Sequence, residues 1–346
     1  MKRVATPALA LLLTVAATGS PAEAATAQAS AGVTWSKLMQ RKLNTETEAR
    51  RLVTVLPSLR TAVAARNRDV VTAQNVQVAA TTTVTTAATA DQRARTAHTN
   101  AKTAATTAKR ALTTAKKQRP RSAKRIAKAQ RTLDAANTTV RTRADKLTRT
   151  AAALRTARTS LAAANRQLTT ATTAHQAAVS AVTRAELKIK SQPQLTAALA
   201  AQATAISAEV VTQTRANFTI TNTTKVYGIT VNKIVAYPFQ RMIDDAAKAG
   251  VPLSGGGFRT KQRQIELRKL NGCPDIWTAP ASSCRVPTAI PGRSLHEIGL
   301  AIDMTSGGKS ITNRKSKAFK WLSANAGRYG LVNLPSEPWH WSITGN

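Results

Sequence analysis

The sequence predicts a long α-helical antiparallel coiled-coil hairpin followed by a small α+β domain. Two compositional breaks in the 346-residue chain and one long repeat predict this fold. No aromatic residue lies between Trp35 and Phe218, and no glycine lies between Gly32 and Gly228. This half lacks the large apolar side chains and turn formers of a compact core, but it remains compatible with long helices. The third observation is a heptad pattern of apolar residues in the same half.

The N-terminus has the pattern of a secretory signal peptide. Lys2 and Arg3 precede an apolar run, and Ala22 and Ala24 form a small-residue cleavage pattern. We expect cleavage after Ala24, which assigns residues 1–24 to the signal peptide; a retained N-terminal anchor is the alternative. The run is shorter than the ~18 to 20 residues of a membrane-spanning helix, and no later segment is expected to span a membrane. The mature protein is therefore expected to be secreted or associated with the cell envelope.

Residues 34–215 are predicted to form the coiled coil. Alternating steps of four and three residues from Leu56 and from Ile126 give two seams in which most positions are apolar. The second seam alternates large side chains with alanine, which would let the helix axes approach closely. Disorder and a lone solvated helix are the alternatives, because threonine is abundant and is a poor helix former.

Three prolines are expected to divide this half into segments, since proline interrupts a helix. They are Pro57, Pro120 and Pro193. The break around Pro120 predicts that two long arms fold back on each other as an antiparallel hairpin.

Positive charge is concentrated in the helical half. Residues 25–220 contain 32 basic and 8 acidic residues, a net charge of +24 out of +35 for the chain. Export and the lack of aromatic stacking residues argue against a nucleic-acid partner. Anionic wall polymers or a membrane-associated regulator are the expected partners of the coiled coil, and a solvated charged face is the alternative. His98 and His175 lie at seam positions and are interpreted as packing residues.

Residues 216–230 are expected to form a linker, and residues 231–346 a globular domain. Within it the sequence predicts a strand at Val231–Tyr237, a helix over "PFQRMIDDAAKAG" and a strand-like "VPLSGGGFRT". A second helix over "KQRQIELRKL", a third helix over "KSKAFKWLSANAGRYG" and a terminal strand with "PWHWSI" follow. Short strands mixed with helices indicate an α+β domain. Cys273 and Cys284 are predicted to form a disulfide, because an exported protein matures in an oxidising compartment; a zinc pair is the alternative.

Two short segments contain the residue types of a catalytic zinc site. "GRSLHEIGLAIDM" contains His296 and Asp303, and "EPWHW" contains His340. A catalytic zinc ion takes three protein ligands, imidazole nitrogens or carboxylate oxygens, and keeps one position open. These three residues are therefore predicted zinc ligands. A surface histidine and an ordinary buried histidine between two tryptophans are the alternative.

Glu337 lies three residues before His340, which places it beside such a site without making it a ligand. Its carboxylate is predicted to be the general base that takes a proton from water and passes it to the leaving amine, a role typically worth ~10²- to 10⁴-fold in rate. Trp339 is predicted to form a wall of the metal site, and Trp341 to pack in the core.

Three motifs resemble those of the VanY-type zinc D-alanyl-D-alanine carboxypeptidases. The residues of 294–303 match S-x-H-x-x-G-x-A-x-D, and "EPWHW" matches an E-x-W-H-W-like ending. "SGGGFRTKQRQ" resembles the upstream S-G-[YF]-R-[ST]-x-x-x-Q segment, although its "GGG" departs from that pattern. The order and spacing agree over residues 231–344, and nothing in the resemblance accounts for the helical half.

The resemblance implies a small α+β zinc metallopeptidase domain with the same ligands and with Glu337 as general base. It also implies that the substrate pocket is lined by Arg259, Ser294 and Gln264. A guanidinium can bind the carboxylate at the end of a peptide bidentately, whereas an internal salt bridge is the alternative for Arg259. The implied substrates are peptidoglycan stem peptides, cut at D-Ala-D-Ala or nearby.

Two other function classes are compared with this interpretation. Lysostaphin-type endopeptidases need an H-x-H pair, and Pro338 stands two residues before His340, so that class lacks a ligand. A non-catalytic coiled-coil protein that binds the wall or acts as a scaffold, with an inactive peptidase-like domain, is the main alternative. The sequence leaves open whether the enzyme is a carboxypeptidase or an endopeptidase, and whether the coil covers the active site.

Overall fold

The computed structural model describes residues 30–346, so the predicted signal peptide lies outside the described residues. Two helices span most of the first half, α1 (Ala31–Lys117) and α2 (Ala123–Asn217). The chain forms two compact units, one of residues up to Ala49 with Ser191–Asn346 and one of Arg50–Lys190. The predicted helical hairpin followed by a small α+β domain is confirmed.

Within Arg50–Lys190 the two helices pack through the predicted seams. The buried apolar side chains of these seams are mainly alanines, namely Ala73, Ala94, Ala101 and Ala108 of α1 and Ala157, Ala164 and Ala185 of α2. Asp91 is a buried seam residue that accepts hydrogen bonds from Arg95 Nε at 2.7 Å and from Thr150 Oγ1 at 3.3 Å. Threonine hydroxyls such as that of Thr81 donate to the carbonyl four residues earlier, which is compatible with helix.

Two of the three proline breaks predicted from the sequence are wrong. Pro57 lies inside α1 and Pro193 inside α2, and only Pro120 lies between the helices. A proline inside a helix costs about 3 kcal/mol locally. Both prolines are exposed, and the helices of 87 and 95 residues continue through them despite this cost.

One window of α2 corrects the expectation that no later segment is apolar enough to span a membrane. By length and composition alone, 18 residues of this helix reach a mean hydropathy of 1.3, and 22% of that window is buried. Runs of alanine with a few larger apolar residues give this value, and core helices of proteins outside membranes meet the same criterion.

The α+β domain opens with a β-hairpin, β1 (Thr223–Val226) and β2 (Ile229–Asn232), which begins within the segment predicted as a linker. The strand predicted at Val231–Tyr237 is wrong after Asn232, because the next residues begin helix α3 (Lys233–Lys248). The Asn232 side chain caps this helix by accepting from Ile234 N at 3.1 Å. The helix then buries one face, formed by Val235, Pro238, Phe239, Met242, Ile243 and Ala246.

The second sheet holds the remaining strands. They are β3 (Leu253–Gly256), β4 (Ala301–Ser306), β5 (Lys309–Ser310), β6 (Val332–Asn333) and β7 (His340–Ser342). The order is β3-β4-β7-β6, with β5 paired to β4, and every pair is antiparallel. Helices α4 (Lys261–Leu270) and α5 (Lys317–Asn325) complete the domain, and α4 covers the predicted residues.

The first turns of α1 belong to the hydrophobic core of the α+β domain. Trp35, Met39 and Leu43 are each 1% exposed and pack in the same cluster as the domain's own apolar residues. The Trp35 indole donates to Ser207 Oγ of α2 at 3.2 Å. The ends of both helices near the domain therefore share one core with it.

Candidate metal centre

Neighbouring antiparallel strands bring two of the predicted ligands together. Asp303 of β4 stands directly opposite His340 of β7 in the register of the sheet. Gly256 of β3 pairs with Asp303 on its other side, and a Cβ on Gly255 would lie 2.5 Å from the Asp303 carbonyl oxygen. The "GGG" segment that departs from the family pattern thus allows β3 to run close beside the ligand strand.

The third predicted ligand comes from a short 3₁₀ turn, Leu295–Ile298, that leads into β4. Ser294 caps this turn by accepting from His296 N at 3.3 Å. Gly299 ends it at a φ of 67°, where a Cβ would lie 2.7 Å from Asn232 N. The spacing of Ser294, His296 and Gly299 therefore encodes a compact turn that fixes the histidine at the start of the strand.

Three ligand atoms form a near-equilateral triangle. His296 Nε2 lies 3.1 Å from Asp303 Oδ1 and 3.2 Å from His340 Nδ1, and the latter two atoms are 3.0 Å apart. A tetrahedral zinc ion with bonds of ~2.0–2.1 Å places its ligand atoms about 3.3 Å apart. The triangle is close to one face of such a tetrahedron, so this donor set fits zinc.

The outer nitrogens of both imidazoles are engaged by backbone carbonyls. His296 Nδ1 donates to Gly257 O at 2.7 Å, and His340 Nε2 donates to Asn346 O at 2.9 Å. These contacts leave the lone pairs of the inner nitrogens directed at Asp303, as metal ligands require. Sequence reasoning did not find Gly257 or Asn346, because a carbonyl acceptor leaves no signal in residue type.

The electrostatics of the cluster favour the ligand state of Asp303 and His296. Burial lowers the pKa of His296. Burial alone would raise the pKa of Asp303, but the two histidine side chains, at 3.1 and 3.0 Å, hold it well below its ordinary range. Burial opposes protonation of His340 as well, yet its contact with the negatively charged Asp303 carboxylate raises its pKa. The carboxylate is therefore ionised and His296 neutral at neutral pH, as metal binding needs.

Arg259 contacts a predicted ligand directly. Its Nη2 donates to Asp303 Oδ2 at 2.7 Å, which leaves Oδ1 in the ligand triangle. The internal salt bridge considered for this residue is thus present in the structure. Arg259 also lines the cavity beside the metal site, and substrate binding by its guanidinium stays a prediction.

Glu337 lies next to the ligand cluster without joining it. Its Oε2 is 4.0 Å from His340 Nδ1, and its side chain is 15% exposed. Burial is the main cause that raises the pKa of its carboxyl. Asn333 Nδ2 donates to the carbonyls of Glu337 and His340, each at 2.9 Å, and so holds the turn that carries both residues. Sequence reasoning missed Asn333.

One cavity of about 750 Å³ collects the predicted site residues. They are His296, Asp303, His340, Glu337, Arg259, Ser294, Gln264 and Trp339. Gln264 is 1% exposed, and its Nε2 donates to Ala289 O at 2.8 Å while its Oε1 has no protein partner. The structure brings all of these residues together, although their individual roles remain predictions.

A cysteine-bounded loop forms another wall of this cavity. The structure contains the predicted disulfide between Cys273 and Cys284. The guanidinium of Arg268 is fully buried and donates to three backbone carbonyls of the loop region, those of Asp275, Ala279 and Thr288. Sequence reasoning missed this arginine, because one arginine in a basic helix does not stand out. The described histidines His98 and His175 have no such cluster, and the metal-ligand group found among residues 30–346 is His296, Asp303 and His340.

Comparisons with known proteins find similarity over the part of the chain that contains this site. Residues 228–346 match the family model of VanY, described as D-alanyl-D-alanine carboxypeptidase. A D-alanyl-D-alanine carboxypeptidase of Enterococcus faecalis is 29% identical over 130 residues, covering 31% of this chain and 46% of that protein. One of Enterococcus faecium is 29% identical over 131 residues, covering 34% of this chain and 38% of that protein.

The chain thus spans less than half the length of the curated relatives it matches. No solved structure matches it. The resemblance predicted from three motifs is confirmed, and the C-terminal region, residues 228–346, is similar to the VanY family of D-alanyl-D-alanine carboxypeptidases.

Proposed function

We propose that this protein is an exported zinc-dependent peptidoglycan peptidase that hydrolyses D-Ala-D-Ala or a nearby bond of the stem peptide. The observation that carries the proposal is the triangle of ligand atoms from His296, Asp303 and His340, at 3.0 to 3.2 Å, with Glu337 beside it. The similarity of residues 228–346 to VanY supports the substrate class. The signal-peptide pattern supports export to the compartment where that substrate is found.

The proposed reaction divides the work between a metal and Glu337. A zinc ion held by the three ligands would activate a water molecule and polarise the scissile carbonyl. Glu337 would take a proton from the attacking water as the water oxygen bonds to the carbonyl carbon. It would pass that proton to the amine nitrogen as the carbon–nitrogen bond breaks, and the amine would also take up the second proton of the water, which yields a carboxylate and an ammonium group. The raised pKa of Glu337 suits both transfers, because a general base works best with a pKa nearer the working pH.

Arg259 has two proposed tasks in this scheme. Its bond to Asp303 Oδ2 fixes the orientation of the ligand carboxylate. Its remaining N–H groups are proposed to bind the terminal carboxylate of the peptide, since the residue lines the same cavity.

The test uses the full mature protein, stripped with a chelator and then reloaded with zinc. Pentapeptide muropeptides and cross-linked dimers are the substrates, and mass spectrometry identifies the products. Release of one alanine indicates a carboxypeptidase, and loss of dimers indicates an endopeptidase. Zinc-dependent cleavage is expected in either case.

Glu337→Gln is the decisive variant. It should keep zinc binding and lose ~10²- to 10⁴-fold in kcat, because the proton acceptor is gone. Glu266→Gln is the matched control, since Glu266 is exposed on α4 and pairs with Arg263. Full activity of Glu337→Gln contradicts the proposed mechanism, whereas zinc binding without any cleavage by the wild type favours the scaffold alternative.

A further inference from the structure

The last turns of α2 line the same cavity as the candidate metal centre. Ala208, Val211 and Arg215 of this helix are part of its wall. These residues precede the region similar to VanY, which begins at residue 228. The helical hairpin therefore contributes a surface to the cleft that the family resemblance does not explain.

Specific contacts hold this part of α2 against the site. The Arg215 guanidinium donates to the carbonyls of Gly292 and Arg293, the latter at 3.0 Å. These residues directly precede Ser294 and the turn that carries His296. One turn further along, the Phe218 ring lies 5.6 Å from that of Phe258.

The wall that α2 helps to form has a defined chemistry. Ala208 and Val211 are apolar, and the same cavity is lined by Leu267 of α4 and by Val286 and Pro287 beside the cysteine-bounded loop. Three arginines also line it: Arg259 pairs with Asp303 of the metal centre, whereas Arg215 and Arg293 lie outside that centre. Glu297 lies close to them, and its carboxylate accepts from Gly292 N at 2.8 Å.

The balance of charge favours an acidic peptide. The negative charge of Glu297 offsets the positive charge of either Arg215 or Arg293. The acidic residues of the described cavity wall are Asp303 and Glu337, and both belong to the metal centre. An excess positive charge beside apolar side chains fits a peptide segment that combines small apolar side chains with a carboxylate.

The size of the cavity indicates which part of the substrate occupies this wall. A volume of about 750 Å³ is far larger than a single alanine residue. When one alanine is released, the rest of the bound peptide must precede the scissile bond. We propose that Ala208, Val211 and Arg215 form a subsite for the stem-peptide residues before the scissile bond, so that the helical hairpin helps to select the substrate. This inference rests on the proposed peptidase function.

The test blocks the proposed subsite with a larger side chain in the full-length protein. Val211→Trp should raise KM for a pentapeptide muropeptide about tenfold, which is a loss of about 1.4 kcal/mol in binding. It should leave kcat/KM for a short acyl-D-Ala-D-Ala substrate unchanged within about twofold, because that substrate does not reach the subsite. Thr212→Trp, on the exposed side of the same turn, is the matched control.

A second variant tests the subsite independently, in case the Val211→Trp protein does not fold. Arg293 is exposed at the rim, so Arg293→Gln should fold and should raise KM for the pentapeptide several-fold, with little change for the short substrate. If both Val211→Trp and Arg293→Gln keep the wild-type ratio of KM values, the subsite is refuted while the peptidase function stands. If the wild type and Thr212→Trp cleave neither substrate, the proposed function fails and the subsite with it.

Discussion

The two long helices pack differently near the α+β domain and along Arg50–Lys190. Near the domain, α1 buries Trp35, Met39 and Leu43 in a core shared with strands and helices from far along the chain. Along Arg50–Lys190 the buried seam side chains are mainly alanines. Burial of apolar surface stabilises by roughly 25 cal/mol per Å². A few large side chains therefore concentrate stability near the domain, whereas many small contacts distribute it along Arg50–Lys190, called the arm below.

Polar contacts follow the same division. Near the domain, Lys42 Nζ donates to Arg328 O at 2.8 Å, and the Arg328 side chain pairs with Glu46. In the arm, the pair of Arg60 and Glu186 at 2.8 Å is 63% and 45% exposed. The polar contacts near the domain are thus largely buried, whereas this pair in Arg50–Lys190 is exposed.

Two optical probes can separate the two units. All five tryptophans, at positions 35, 277, 321, 339 and 341, belong to the unit that contains the α+β domain. Tryptophan fluorescence therefore reports on that unit alone, whereas far-ultraviolet circular dichroism is dominated by the long helices. Each change below is expected to shift one of these signals more than the other.

Trp35→Ala should have the largest effect. It removes a 1% exposed side chain from the shared core, so we expect a loss of about 3–5 kcal/mol in the free energy of unfolding. The fluorescence-detected transition in urea should move to lower concentration. Val78→Ala, at a 61% exposed position of the arm, should cost less than about 0.5 kcal/mol. Equal shifts for the two variants would contradict the contrast between the regions.

Ala101→Leu should have the next largest effect, and in the arm. A larger side chain at this 8% exposed seam position forces the helices apart, at a cost of about 1–3 kcal/mol. The transition detected by circular dichroism should shift, with the fluorescence transition unchanged. Thr103→Leu, on the exposed face, is the control, and a stabilised Ala101→Leu would show that the seam has unfilled space.

Lowering the pH should destabilise the unit that contains the α+β domain, because Asp245 becomes protonated. Burial alone would raise the pKa of this carboxyl, but the Tyr329 hydroxyl and the charges of Arg241 and Arg328 lower it. A lowered pKa in the folded state stabilises the fold above the unfolded pKa, and this contribution is lost as the pH falls through the folded pKa. The fluorescence-detected Tm should thus fall from about pH 5 to pH 3 more steeply in the wild type than in Asp245→Asn.

Asp69→Asn, in an exposed pair of the arm, is the control for this titration. It should leave the pH dependence of the fluorescence signal as in the wild type. Parallel pH profiles for wild type and Asp245→Asn would refute a role for Asp245.

Glu186→Gln should have the smallest effect. It breaks an exposed ion pair with Arg60, which is worth at most about 1 kcal/mol. The small shift in the circular dichroism transition should vanish at about 1 M salt, where screening removes the attraction. A shift that persists at high salt would mean that packing rather than charge is lost.

The sequence predicted the features that depend on local pattern. The seams follow from a heptad repeat, and His296 and Asp303 lie close in sequence on a turn and strand whose geometry their glycine and serine neighbours fix. The strand expected over Val231–Tyr237 was wrong after Asn232. The Asn232 side chain caps helix α3 there, and this cap outweighs the strand preference of the residues that follow.

Contacts between distant parts of the chain left no such pattern. The Trp35 indole donates to Ser207, which lies 172 residues further along the chain, so no local pattern connects the two residues. Arg268 and Asn333 act on backbone carbonyls, which any residue can supply. Arg215 lies in a helix of low sequence complexity with many other basic residues. Its residue type therefore does not indicate that it binds the carbonyls of Gly292 and Arg293.

The hairpin leaves one compact unit after Ala49 and returns to it at Ser191. Between these points the chain forms a separate unit, so the length of the hairpin is not constrained by the candidate metal centre. Removing or inserting seven residues in each helix would keep the alanines in phase and change the extent of the rod by about 10 Å per step. Whole-repeat changes would therefore alter the length of the hairpin without changing the residues of the candidate metal centre.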